Sequence, residues 1–456
     1  MNKIHIITLG CPKNTADSGH LSDDFLSEGF VSATDAESAD IILVNTCGFI
    51  RDAKEESIEE ILRLAKIKKI QNSKFKIQND KKLLVFGCLA QRYRDELLKE
   101  IPEIDGLWGV GADAEIIKYC KGLKGSRVRR QASGAKRGGE NELVPSSYAY
   151  LKIAEGCDKK CTFCVIPSIR GNFRSMPSEK ILKEAEGYVR KGVRELILVA
   201  QDITNYGKEA DGYNLVSLLK DMTSISGDFH IRLLYLYPTA LNDELLECIA
   251  AGDKIYKYID IPLQHSEDRL LRLMGRRGSR REYIKLLRTV RRRIPQIALR
   301  TTFIVGFPTE TEEDFNGLAD FIEEIRFDRL GVFKFSKEEG TPSAKLKGQV
   351  PEKVKDRRLD EIMRRQALIS LEKNRELIGR RYSALVDEID GNLVIARLYS
   401  HAPEIDGVVI IESNNEDGNS ALPLKAGDAV TVEIIGAYDY DVKGRLVDDN
   451  SVQERL

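Results

Sequence analysis

"KIAEGCDKKCTFCVIPSIRG", residues 152–171, places Cys157, Cys161 and Cys164, three of the chain's eight cysteines, in one short loop. Thiols gathered this closely point to a shared inorganic ligand rather than to disulfides. Structural zinc normally takes four ligands, and no fourth Cys or His lies nearby in sequence. Three thiolates suit one face of an iron–sulfur cubane and leave its fourth iron open. An open iron can chelate an amine and a carboxylate together, which the amino-acid end of S-adenosylmethionine (SAM) offers. The spacing therefore reads as a site that reduces the sulfonium to a 5′-deoxyadenosyl radical.

Outward from this loop the pattern is α/β. The loop follows the strand-like run "AYLKIAEG", and five more such runs alternate with helical stretches: "ELILVAQD", "IRLLYLYP", "KYIDIPLQ", "LRTTFIVGFP" and "RLGVFKFS". About six βα repeats predict a partial barrel, whose chemistry sits in loops at the C-terminal ends of strands. Upstream, "KIHIITLG", "ADIILVN" and "KLLVFG" each precede one cysteine, Cys11, Cys47 or Cys88, and then a helical segment. Parallel strands end on one sheet edge, so these three can converge there as a second triad; taken singly, each reads by default as a small buried apolar residue, and their shared position past consecutive strands weighs against that. Cys120 and Cys248 lie on amphipathic helical patterns and read as core residues, and His265 reads as structural.

The expected domains are 1–120, an N-terminal parallel-sheet α/β domain, and 147–375, a partial (β/α)6 barrel, joined by a Gly-, Lys- and Arg-rich linker at 121–146. A helical stretch then leads to a small antiparallel β-barrel at 376–447. From 376 onward the chain holds about sixteen Asp and Glu against about seven Lys and Arg. Asp387, Glu388, Asp390, Glu404, Asp406, Asp439 and Asp441 are expected to give this tail a negative field that attracts a basic protein and repels RNA. The whole chain, at 456 residues, 42% hydrophobic, 31% charged and net charge −1, has the composition of a soluble globular protein. Its apolar runs are too short to span a bilayer and its N-terminus does not read as a signal peptide, so the expectation is cytoplasmic, with no membrane partner.

The motifs "LGCPKNTADS", "VNTCGFIRDAKEESI", "GCLAQRY", "EGCDKKCTFCVIPSIRG", "IPLQHSEDRLLRLMGR", "IVGFPTETEEDF", "APEIDGVV" and "YDYDVKG" together resemble the radical-SAM methylthiotransferases. The resemblance covers nearly the whole chain, and implies an N-terminal cluster domain, a radical-SAM barrel and a C-terminal TRAM domain. It implies that Cys157, Cys161 and Cys164 hold a radical [4Fe–4S] cluster, and that Cys11, Cys47 and Cys88 hold an auxiliary one. Phe163, Gln201, Asp202, Arg300 and Gly306 would line the SAM pocket. Glu267 and Asp268 after His265, and the "YDV" ending at Val442, depart from the family pattern without touching the cysteines.

Within the family the chain looks like the members that act on an aspartate of small-subunit ribosomal protein twelve, free or in the ribosomal subunit, with electron and sulfur donors left open. An unactivated Cβ–H bond calls for hydrogen-atom abstraction, which explains the radical cofactor. The resemblance implies that one SAM supplies a methyl group, a second supplies the radical, and the carbon radical captures methylthio. Two alternatives are an adenosine methylthiotransferase of tRNA, the MiaB type, and a non-catalytic iron–sulfur electron carrier. The acidic tail disfavours the first; the second has no use for a six-repeat barrel.

Overall fold

The computed structural model describes residues 3–74, 81–125, 147–209, 212–412 and 424–447. The first three apolar runs become β1 (Lys3–Thr8), β3 (Ile41–Thr46) and β4 (Lys82–Gly87), joined in a five-stranded parallel sheet by the two-residue strands β2 (Val31–Ser32) and β5 (Gly106–Leu107). All six residues of β3 are buried, as expected of a central strand covered by helices on both faces. One core on each face holds the sheet, with Val44, Leu64 and Val85 on one side and Leu21, Phe25 and Leu43 on the other. The helix Asp113–Gly125 extends into the expected linker, and positions 126–146 of that linker lie outside the described residues.

The barrel begins at β6 (Tyr148–Lys152). The short pair β7 (Ala154–Glu155) and β8 (Arg174–Ser175) then pinches the cysteine loop at its base. β9 (Glu195–Val199), β10 (His230–Leu233), β11 (Ile255–Gln264), β12 (Ala298–Val305) and β13 (Arg329–Lys334) complete a six-stranded parallel sheet in the order β13-β12-β11-β10-β9-β6. All six runs read from the sequence are strands of this half-barrel. Its core is filled by residues such as Leu198, Leu233, Ile259 and Phe303.

Helix Glu352–Arg375 packs through Ile362 and Ile369 against this core and leads to a closed barrel of β14 (Arg381–Asp390), β15 (Leu393–Arg397), β16 (Val409–Glu412), β17 (Ala429–Ala437) and β18 (Val442–Leu446). It departs from the expected all-antiparallel pattern at one place: β16 and β18 pair in parallel, which closes the ring. This small barrel docks on residues at the strand starts of the half-barrel. There Arg397 donates to Glu195 at 2.7 Å, and Arg232 donates to Glu195 and to the Tyr399 carbonyl. Burial works against the Glu195 carboxylate, yet Arg232 and Arg397 hold its pKa below the usual range.

Docking gives some of the tail's acids partners. Asp387 pairs with Arg397, Glu404 accepts from the hydroxyls of Tyr148 and Tyr150, Asp406 accepts from the Tyr258 hydroxyl at 2.7 Å, and Asp441 accepts from the backbone of Val408. Asp387 and Asp406 lie beside arginines, Glu404 and Asp441 accept from neutral donors and keep their charge, and Glu388, Asp390, Glu404 and Asp439 are exposed.

Glu195→Ala leaves two buried guanidinium groups without their shared carboxylate, and breaking a buried pair from one side typically costs about 3–5 kcal/mol. The expected result is a lowered denaturation midpoint for the full chain, together with faster proteolysis within 376–447. An unchanged midpoint would show that the two barrels are held by other contacts.

Candidate active site between two cysteine triads

Cys11 lies just past β1, Cys47 follows β3 directly, and Cys88 follows β4 directly. The polypeptide draws them together through small residues and side-chain ties. Gly10 has φ +97°, and a Cβ there would stand 2.6 Å from the Cys47 Cβ. Asn14 donates to the carbonyls of Leu9 and Thr46, and Asn45 donates back to the Asn14 carbonyl at 2.9 Å. Ser57 accepts from the Cys47 backbone N–H at 3.0 Å. Burial, with Cys11 and Cys88 close by, pushes the Cys47 thiol up to about 12.

The second triad is fixed as tightly. The Cys157 N–H donates to the Gly171 carbonyl, and Thr162 donates through backbone and hydroxyl to the Met274 and Leu273 carbonyls at 2.9 and 2.7 Å. Gly275, φ +68°, passes so close that a Cβ would lie 2.4 Å from the Lys160 carbonyl oxygen. Burial pushes the Cys164 thiol up to about 12, with Cys161 and Cys157 near it. Among the described residues no three Cys, His, Asp or Glu side chains converge on a single ion. A cubane takes each thiolate on a different iron, so its ligands need not meet at one point. A donor set of three thiols with no fourth protein ligand fits such a cluster.

The segments that carry the two triads are joined by one polar network. Arg170, six residues past Cys164, donates to Asp17 at 3.0 Å, to Glu155 at 3.0 Å and to the Asn14 Oδ1 at 2.8 Å. Lys13 donates to Glu155 at 3.0 Å, and Lys152 pairs with both Asp17 and Glu155. Burial opposes the Glu155 charge, but Lys13, Arg170 and Lys152 hold its carboxyl well below the usual range. Val165 and Ile169, on the segment after Cys164, pack directly on Cys88.

The other sequence-predicted residues divide. Gln201 lies beside Glu155 at 3.4 Å with its amide oxygen buried and unbonded; Asp202 caps Thr204 and lies 3.3 Å from the Lys159 ammonium. Phe163 packs near Leu270, Met274 and Phe307 beside the triad loop. Arg300 is turned elsewhere, donating to Asp260 at 2.9 Å with Asp406 of the closed barrel 3.5 Å away. Gly306 has φ +74°, and a Cβ there would meet the Lys355 side chain at 2.3 Å, so backbone shape and Lys355 account for it. Sequence reasoning did not single out Lys13, Glu155 and Arg170. The signal available was their place inside the cysteine motifs "CPKN" and "EGC…SIRG". His265 is fully buried and accepts from the Glu267 backbone, a structural role.

Residues 151–322 match the Radical SAM superfamily, 378–447 match the TRAM domain, and 3–109 match the uncharacterized protein family UPF0004. A solved radical S-adenosylmethionine methyltransferase, TsrM from Kitasatospora setae, shares the fold with a TM-score of 0.52 at 13% identity, over 86% of this chain and 79% of that one. The chain is thus a radical-SAM enzyme, a class that works with a [4Fe–4S] cluster and SAM. The "Ribosomal protein uS12 methylthiotransferase RimO" of Thermodesulfovibrio yellowstonii is 56% identical over 98% of this chain and 100% of its own length. The protein of the same name from Desulfitobacterium hafniense is 43% identical over 98% of each. The chain belongs to the RimO family of methylthiotransferases. No helix among the described residues is long and apolar enough to cross a membrane.

Proposed function

We propose that this chain inserts a methylthio group at Cβ of an aspartate of ribosomal protein uS12, as the names of its relatives imply for uS12, and that it does so in the cytoplasm. Cys157, Cys161 and Cys164 hold the cluster that engages SAM, and Cys11, Cys47 and Cys88 hold a second [4Fe–4S] cluster. The observation that carries this reading is the polar network of Lys13, Asn14, Glu155 and Arg170 that joins the segments bearing the two triads. A substrate carbon has to reach both in one binding event, because a radical must meet its partner at near-contact distance.

When bound, the clusters supply an electron for SAM cleavage and the site from which sulfur is delivered. The chain's own residues do the rest. Arg170, Lys13 and Glu155 lock the two loops at one separation, while Val165 and Ile169 exclude water on the Cys88 side. Gln201 and Asp202, at the end of β9, are placed to meet the SAM side of the site. The working domains are 1–120, 147–375 and 376–447.

The test is mass spectrometry of uS12 from a strain lacking this gene, with tRNA nucleosides measured in parallel. Loss of the methylthio mass from uS12, with tRNA unaltered, is the expected result. A missing methylthioadenosine with intact uS12 would move the chain to the tRNA reading.

A further inference from the structure

We propose that Tyr235 is the residue that positions the substrate aspartate between the triads, its phenol donating a hydrogen bond to the substrate carboxylate. This rests on the reading above and deepens it by naming a specificity-determining group.

Tyr235 lies just past β10, where half-barrel chemistry is expected. Its φ of +63° is the left-handed region, which a bulky residue occupies only where its surroundings over-determine it. Those surroundings are visible. Its N–H donates to Asp260 Oδ2 at 3.0 Å and its carbonyl accepts from Ile203 N–H at 3.2 Å. Asp260 in turn accepts from Arg300, which approaches Asp406 of the closed barrel. Strands β10, β11 and β12 and the C-terminal domain thus combine to hold one tyrosine in an unfavourable backbone shape.

The ring is half-buried against a group that includes Ala16, on the helix that Cys11 begins. That hydroxyl has no hydrogen-bond partner among the described residues. Two positions on, Tyr237 faces the other triad: its ring lies under Lys159 at 4.0 Å and Arg276 at 4.3 Å, and Lys159 is two residues past Cys157. The segment 235–237 therefore meets the helix that follows Cys11 at one end and the residue two past Cys157 at the other.

Most of the cations nearby already have carboxylate partners: Lys13, Lys152 and Arg170 are tied to Asp17 and Glu155, and Lys159 to Asp202. Arg276, over the Tyr237 ring, donates to the Pro262 carbonyl and keeps an unpartnered Nε at that end of the segment. At the other end the Tyr235 phenol is a neutral donor free to meet an incoming carboxylate. In aspartate the carboxylate carbon is bonded directly to Cβ, so holding the carboxylate limits how the Cβ–H bond is presented. A neutral donor orients it without displacing the ion-pair network.

The experiment is a double-mutant cycle on the full, reconstituted protein, measuring binding of uS12 with its target aspartate intact or changed to Asn. Hydrogen bonds to charged groups predict that Tyr235→Phe weakens binding of the aspartate form by about tenfold or more, and of the Asn form by no more than about twofold. Tyr237→Phe is expected to keep the wild-type preference for Asp over Asn. Equal losses on both forms in Tyr235→Phe, no loss on either, or the same loss of preference in Tyr237→Phe would overturn the assignment. Wild-type protein that binds neither form would overturn the uS12 reading and this one with it; intact wild-type binding with an unchanged Asp-over-Asn preference in Tyr235→Phe would overturn this one alone.

Discussion

Replacing Cys157, Cys161 and Cys164 together by Ala is expected to lower the iron content of anaerobically reconstituted protein from about eight to about four and to abolish 5′-deoxyadenosine formation. The halving follows from how the two triads are built. The loop 156–173 is closed by its own hairpin and by the Leu273–Gly275 turn, all within the half-barrel. The N-terminal triad is drawn together by Gly10, Asn14, Asn45 and Ser57, none of which belongs to that loop. The sheet carrying it has its own cores on both faces. Emptying one site therefore leaves the scaffold of the other standing. Iron and SAM cleavage are measured on the same preparation. Loss of all iron would mean that the two sites fold as one, and zinc in the wild-type protein would remove the radical reading.

Much of this architecture was legible because parallel strands buried on both faces read as continuous apolar runs. β3 and β9, with every residue buried, are the clearest cases, and the cysteines directly after β3 and β4 marked the reactive edge. β2 and β5, two residues each, were not legible, because backbone pairing makes them and no side-chain pattern announces it. The network between the triads was hidden for a different reason. Lys13 and Glu155 stand 142 positions apart, and Asn14 and Arg170 stand 156 apart, so only the fold shows that they are partners.

Position at a strand end proved a weak guide for single residues. Gln201 and Asp202 lie beside the triad loop, whereas Arg300 is early in β12 and turns toward Asp260 and Asp406. For the acidic tail, composition counts charges but not the tyrosines and arginines that meet some of them. Glu404 and Asp406 serve docking, and through Arg300 and Asp260 that docking reaches the frame of Tyr235.

Cys47→Ala is expected to separate the two halves of the reaction: SAM is still cleaved to 5′-deoxyadenosine, and methylthiolated uS12 falls below detection. Cys47 is the informative choice because it sits at the end of the central strand, buried, with Cys11 and Cys88 on either side of it. Ala there removes a sulfur and little volume, so the sheet should tolerate it, with a cost of the order of a small core truncation, about 1 kcal/mol. The Cys157 loop receives no hydrogen bond from Cys47, whose backbone is tied to Ser57. The network that joins the loops runs through Lys13, Asn14, Asp17 and Arg170 and is left in place. Radical generation therefore keeps its own scaffold, whereas on the proposed reading sulfur delivery loses one of three anchoring thiols. Both products are quantified from one anaerobic incubation with uS12, by chromatography for the nucleoside and mass spectrometry for the protein. Product at the wild-type rate would remove the N-terminal triad from the reaction, and loss of SAM cleavage along with product would mean that the triads operate as a single unit.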